Sequence, residues 1–206
     1  MSTLQIETPH GPARVHLHEV RRAQAALLLG HGAGGGVGAP DIGAATEAAI
    51  GAGASVALVE QPYLVAGKRS QPAAGKLDEA WIAVAEELRS GPLEGLPLIA
   101  AGRSAGARVA CRTAAEVGAV AVLCLAFPLH PPGKPERSRL AELEAVEVPT
   151  LVVQGESDQF GMPPEGSNRT VATVAGNHGL KKDLGAVAAA VRDWLPDVVP
   201  KLTPSG

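Results

Sequence analysis

Five short apolar runs recur along the chain: AALLL (Ala25 to Leu29), VALV (Val56 to Val59), LIAA (Leu98 to Ala101), VAVLCLA (Val120 to Ala126) and TLVV (Thr150 to Val153). None alternates apolar with polar residues, so each reads as a strand covered on both faces, the pattern of a buried parallel sheet. A sixth run, RTVATV (Arg169 to Val174), is weaker. The period changes between them. In KLDEAWIAVAEELRSGP, Leu77, Trp81, Val84 and Leu88 recur at helical spacing, and Gly91-Pro92 stops the helix. Leu184, Val187, Val191 and Trp194 repeat that spacing and predict a second amphipathic helix ending before Pro196.

Alternating strands and helices predict an α/β fold, a mostly parallel central sheet with helices on both faces, because parallel neighbours need a crossover element. The segments LQIET and ARVHLHEV, separated by PHGP, predict an antiparallel hairpin at the N-terminal edge. No repeat or linker divides the chain, and 206 residues suit one domain, 1–206. FPLHPPGKPERS (Phe127 to Ser138) is an extended proline-rich loop.

Composition narrows the possible partners. Aromatics are only 2% of the residues, so the core must be built from Ala, Val and Leu. A formal charge of -3, with scattered arginines, offers no basic field, and nucleic acid is not an expected partner. The start, MSTLQIETPHGPARVH, lacks the pattern of a signal peptide, and the longest apolar run, around Val117 to Leu129, is too short to span a bilayer. The expectation is a cytoplasmic protein with no membrane partner. A protein partner is left open, though nothing indicates one. Cys111 and Cys124 read as small buried hydrophobes.

Ligands of open α/β sheets collect beyond the carboxyl ends of the strands. There Gly102-Arg103-Ser104-Ala105-Gly106 fits a G-x-S-x-G elbow, whose glycines allow a strained turn that lifts the serine hydroxyl clear of the backbone. The plain alternative is a helix N-cap serine. A nucleophilic serine needs a base, and the base needs an acceptor that fixes its tautomer. Asp158, in GESD after TLVVQ, and His178, in GNHG after RTVATV, supply both. Separately each has an ordinary reading as a loop residue; together they follow three strand ends in the order Ser, Asp, His, the chain order of α/β-hydrolases.

GHGAGGG (Gly30 to Gly36) follows AALLL directly. Backbone N–H groups aimed at a developing oxyanion stabilise it by about 3 to 4 kcal/mol each. One donor is assigned to Ala33, with Gly32 or Gly34 as alternatives, and the other to Ala105. The same stretch matches G-x-G-x-x-G at Gly30, Gly32 and Gly35, with Glu60 ending the next strand as a dinucleotide fingerprint requires. That rival needs a helix opening within the glycines, whereas GGGVGAP delays it until about Pro40, so no cofactor is expected. His10, His16 and His18 raise a zinc question, but no third ligand has suitable spacing and the two on the strand read as solvated edge side chains; no metal is expected.

With these residues in view, the chain resembles the α/β-hydrolase-like family related to dienelactone hydrolases, which includes testis-expressed hydrolase-like proteins and a subunit of a histone-acetylating complex. The motifs are LLLGHGAGGG, EQPYLVAGKRSQP, AAGRSAGARVA, FPLHPPGKPER, PTLVVQGESDQFG and GNHGL. The resemblance implies Ser104 as nucleophile, Asp158 as acid and His178 as base, and places Lys68, Arg69 and His130 in family motifs near the mouth. The expected activity is cleavage of an ester, thioester or related acyl bond of a small-molecule substrate. Only about twenty residues, Pro128 to Val148, stand where many relatives insert a lid, so no large lid and an open site are expected. The alternative is a binding or scaffold module on the same fold.

Overall fold

The computed structural model describes residues 1–199, and residues 200–206 of the expected single domain lie outside the described residues. Eight strands form one sheet in the order β1-β2-β4-β3-β5-β6-β7-β8. β1 (Ser2–Ile6) and β2 (Ala13–His18) make the N-terminal hairpin, and β2 also runs antiparallel to β4 (Ala54–Glu60). β3 (Ala25–Gly30), β4, β5 (Leu98–Arg103), β6 (Ala119–Leu125), β7 (Thr150–Gly155) and β8 (Arg169–Val174) are parallel. Every residue of β3 and β7 is buried, which explains their unbroken apolarity. β8 closes the far edge, with Thr170 and Thr173 exposed, and its apolar signal is correspondingly weaker.

The helices lie in two layers. α1 (Pro40–Gly51) and α6 (Leu184–Val198) cover one face, where Ile42, Ala45 and Ala49 join Val187, Val191 and Leu195 against Leu27, Leu29 and Val153. α3 (Ala74–Arg89) and α4 (Ala105–Thr113) cover the other through Leu77, Trp81, Val84, Leu88, Ala107 and Val109. Two short helices complete the set, α2 (Pro62–Val65) and α5 (Leu140–Glu144). Among the described residues no helix is long and apolar enough to cross a membrane.

Two expectations need correction. The last helix does not stop before Pro196 but continues through it to Val198. Proline removes one helical donor, yet the loss falls in the final turn, where Leu195 is buried and accepts from the Val199 amide at 3.0 Å. His16 and His18 are not on the edge: β1 covers β2, both side chains are half-buried, and His16 Nε2 lies 3.4 Å from Glu60 Oε1. Glu60, the acidic residue the nucleotide reading required, is instead paired with Arg14 at 3.1 Å.

The order places the chain's change of direction in the middle of the sheet. From β3 the chain crosses over α1 to β4 on one side, and from β4 it returns over α3 to β5 on the other. The loops leaving β3 and β5 therefore part at their carboxyl ends and open a crevice between them, the place where ligands bind in such sheets. The glycine loop lines one wall and Ser104 the other.

Candidate active site

Ser104 sits where β5 turns into α4, with φ 53° and ψ -111°. A side chain in this region of backbone space is strained by roughly 1 to 3 kcal/mol and persists only where its surroundings fix it. Two glycines fix this one. A Cβ on Gly102 would lie 2.1 Å from the carbonyl carbon of Gly106, and a Cβ on Gly106 would lie 2.7 Å from Gly30 O. The first contact shows α4 pressed onto the end of its own strand; the second shows the helix start pressed onto β3. The Ser104 amide donates to Leu125 O at 2.8 Å, tying the turn to β6. The hydroxyl does not cap α4, so the N-cap alternative fails and the oxygen is free for other partners.

Its partner is His178. Ser104 Oγ and His178 Nε2 are 2.9 Å apart, and His178 Nδ1 is 2.8 Å from Asp158 Oδ2. The structure thus brings three expected site residues, from loops after β5, β7 and β8, into one hydrogen-bonded line. Gly155 allows the last two loops to meet, because a Cβ there would lie 2.5 Å from Asn177 O. The Asp158 side chain is 1% exposed and that of His178 15%. Buried this deeply, the carboxylate needs donors: besides the imidazole it accepts from Gln154 Nε2 at 2.9 Å and from the Phe160 amide at 2.8 Å. Gln154 also donates to Phe127 O and Gly161 O. The Phe160 ring lies against the imidazole, centroids 4.1 Å apart.

The oxyanion assignments fall on backbone positions. Ala105 is the first residue of α4, where amides have no partner within the helix. Ala33 is exposed in the glycine loop, and its carbonyl accepts from the Tyr63 hydroxyl at 3.3 Å. The loop lies close to Ser104, for a Cβ on Gly32 would be 3.4 Å from Ser104 Cβ and 2.8 Å from Arg103 Nη1. His31 holds this loop from below. Its Nδ1 pairs with Gly32 O at 2.7 Å and its Nε2 accepts from the Gln61 amide at 3.1 Å. Burial lowers its pKa below the usual 6.5, in spite of the Gly32 carbonyl and Glu60, which act in the other direction. That keeps the ring neutral, with one nitrogen donating and the other accepting.

Sequence reasoning missed four supports, Gln154, Phe160, Arg103 and Asp41. Gln154 ends an otherwise apolar strand run, a signal that was present; Phe160 carried none. Arg103, the variable residue of the elbow, donates from Nε to Asp41 Oδ2 at 3.2 Å and from Nη2 to His178 O at 3.1 Å. It joins the start of α1, the glycine loop and the histidine loop. The Asp41 side chain is only 1% exposed, so replacing Arg103 with Met strands a buried carboxylate and is expected to cost about 3 to 5 kcal/mol. Pairing Arg103→Met with Asp41→Leu should recover most of that loss in urea unfolding. A double variant no more stable than the single one would show that the ion pair is not what holds the loops.

His130, of the proline-rich motif, packs under the Asp158 loop: its amide donates to Phe160 O, and a Cβ on Gly161 would meet its Nε2 at 2.6 Å. Lys68 and Arg69, exposed on the stretch after α2, take no part in the hydrogen-bonded line. Cys111 and Cys124 are both buried, their sulfurs 3.5 Å apart beneath the elbow.

Solved structures share this architecture. An α/β serine hydrolase without lid from Xanthomonas campestris is 21% identical with a TM-score of 0.80, covering 98% of this chain and 96% of its own. A dienelactone hydrolase from Anabaena variabilis is 18% identical with a TM-score of 0.76, covering 96% and 97%. Est1E from Butyrivibrio proteoclasticus is 17% identical with a TM-score of 0.77, covering 98% and 100%. Among curated proteins none matches this sequence. At these identities the structures establish the fold alone. Residues 23–182, which span the sheet from before β3 to beyond His178, match the Alpha/beta hydrolase domain family, and the chain belongs to it.

Proposed function

We propose that the protein is a serine hydrolase that cleaves an ester, thioester or related acyl bond of a small-molecule substrate. The observation that carries this reading is the line Ser104 Oγ, His178 Nε2, His178 Nδ1, Asp158 Oδ2, with steps of 2.9 and 2.8 Å. Ser104 Oγ attacks the acyl carbon while His178 Nε2 takes its proton, and the oxyanion rests on the amides of Ala33 and Ala105. The carbon–oxygen or carbon–sulfur bond to the leaving group then breaks, and the leaving group departs with the proton from His178. Water repeats the attack on the acyl-enzyme, giving its proton to the imidazole; the acid leaves and Ser104 regains its hydrogen. Asp158 holds the imidazole in the tautomer with hydrogen on Nδ1 and stabilises the imidazolium.

Between β6 and β7 the one helix is the five-residue α5, too short to roof the crevice beside Ser104. This openness favours small or extended acyl groups over long lipids enclosed in a tunnel. The motifs EQPYLVAGKRSQP and PLHPPGKPE support a place beside the testis-expressed hydrolase-like proteins. A fluorophosphonate probe tests the chemistry. It should label Ser104 with loss of fluoride and leave Ser104→Ala unlabelled; a folded protein that takes no label would overturn the hydrolase reading in favour of a binding module.

A further inference from the structure

A second cavity, of about 310 Å³, opens beyond β4 and is lined by His10, Gln61, Tyr63, Lys68, Ser70 and Lys76 among others. Three features give it a positive field. Lys68 and Lys76 are exposed, and among the described residues neither pairs with a carboxylate. α3 begins at its rim without a side-chain cap, so its first amides add their partial charge. Against them stands the carboxylate of Glu79, hydrogen-bonded to His10 at 2.6 Å. Arg69 stands exposed beside Lys68 and adds to the same field.

The cavity shares a wall with the Ser104 site. The Tyr63 ring lies 5.8 Å from the ring of His31, and its hydroxyl donates to Ala33 O, so one side of Tyr63 faces the cavity while the other supports the glycine loop. β4 is separated from β5 by β3 alone, and neighbouring strands lie about 4.8 Å apart, so the cavity, which opens beyond β4, stands about 10 Å or more along the carboxyl edge from the nucleophile. The edge between them is the glycine loop, whose Gly34 and Gly35 have no heavy atom within 4 Å of an added Cβ. An extended chain can lie across it.

We propose that this cavity is a subsite of the Ser104 centre for the far end of a linear acyl group ending in a carboxylate, so that the substrates are half-esters or half-thioesters of medium-length dicarboxylic acids. This rests on the hydrolase reading above. The terminal carboxylate sits between Lys68 and Lys76, the methylene chain crosses the glycine loop, and the reacting carbonyl meets Ser104. A lysine is suited to such a place, being a mobile point charge that follows the ligand without demanding one geometry.

The test compares 4-nitrophenyl half-esters of adipate, suberate and sebacate with the same compounds capped as methyl esters at the far end. In the wild type, kcat/KM for the best half-ester should exceed that of its capped form about tenfold, as two partly exposed ion pairs allow, and salt should reduce the ratio. Lys68→Met with Lys76→Met should bring the ratio to about one and leave turnover of 4-nitrophenyl butyrate unchanged, while arginine at both positions should restore it. Equal rates for charged and capped esters in the wild type would overturn the subsite and leave the hydrolase standing. Should no ester be turned over in a Ser104-dependent way, calorimetric titration of suberate into folded Ser104→Ala protein decides: binding abolished by the double Met variant supports the subsite, and no binding overturns it.

Discussion

Replacing His178 with alanine should lower kcat for a 4-nitrophenyl ester about ten-thousandfold or more, and Asp158→Asn should fall in the same range. The two losses have different origins. Without His178 no group near Ser104 Oγ among the described residues can take its proton: Arg103 reaches the histidine's carbonyl only as a cation, and the neutral ring of His31 is engaged at both nitrogens. With asparagine at 158 the amide can still meet Nδ1, but it can do so by donating, which places the ring hydrogen on Nε2 and points the wrong atom at the serine. Neither change removes a large apolar surface, and melting temperatures should stay near that of the wild type. The measurement is steady-state kinetics beside thermal unfolding. A loss below tenfold in His178→Ala, in folded protein, would mean that the imidazole is not the base.

The largest expected effect on folding comes from Gly102→Ala. The added methyl would stand 2.1, 2.2 and 2.4 Å from Gly106 C, Gly106 O and Ala107 N, all backbone atoms of α4. No rotamer change relieves this, so the helix must leave the sheet by an ångström or more. Ordinary overpacking costs about 1 to 3 kcal/mol, and displacing a buried helix start should exceed that, against a net stability of about 5 to 15 kcal/mol. We expect a melting temperature lower by about 10 °C or more, or insoluble protein. Gly34→Ala is the control: nothing lies within 4 Å of its added Cβ, and it should melt as the wild type does. If both variants melt alike, the close approach of α4 to β5 is not what holds the elbow.

How far the sequence foretold this arrangement depends on the interaction. Strands buried on both faces announce themselves, so AALLL, LIAA and TLVV were legible as β3, β5 and β7 to within two residues. The positions of Ser104, Asp158 and His178 after strand ends were legible for the same reason, since a strand end is where periodicity breaks. Contacts between distant polar side chains leave no such mark. Arg103 meets Asp41 across sixty-two positions and His178 across seventy-five, and only the strand order, with β3 beside β5, brings them together. Pro196 misled because local chemistry argues for a stop, whereas the burial of Leu195 carries the helix one turn further. The edge position of His16 and His18 misled because which strand lies outermost depends on pairing, not on the residues of that strand.

Trp81 gives the chain an internal optical probe. Its indole is 1% exposed and packs against Gly30, where an added Cβ would meet it at 3.0 Å, directly under the start of the loop that flanks the serine. The other indole, Trp194, lies on α6, on the opposite face of the sheet, and is half-buried. Ultraviolet emission from the two should therefore differ in wavelength and in access to dissolved quenchers, and the bluer component reports from beneath the crevice without an extrinsic dye.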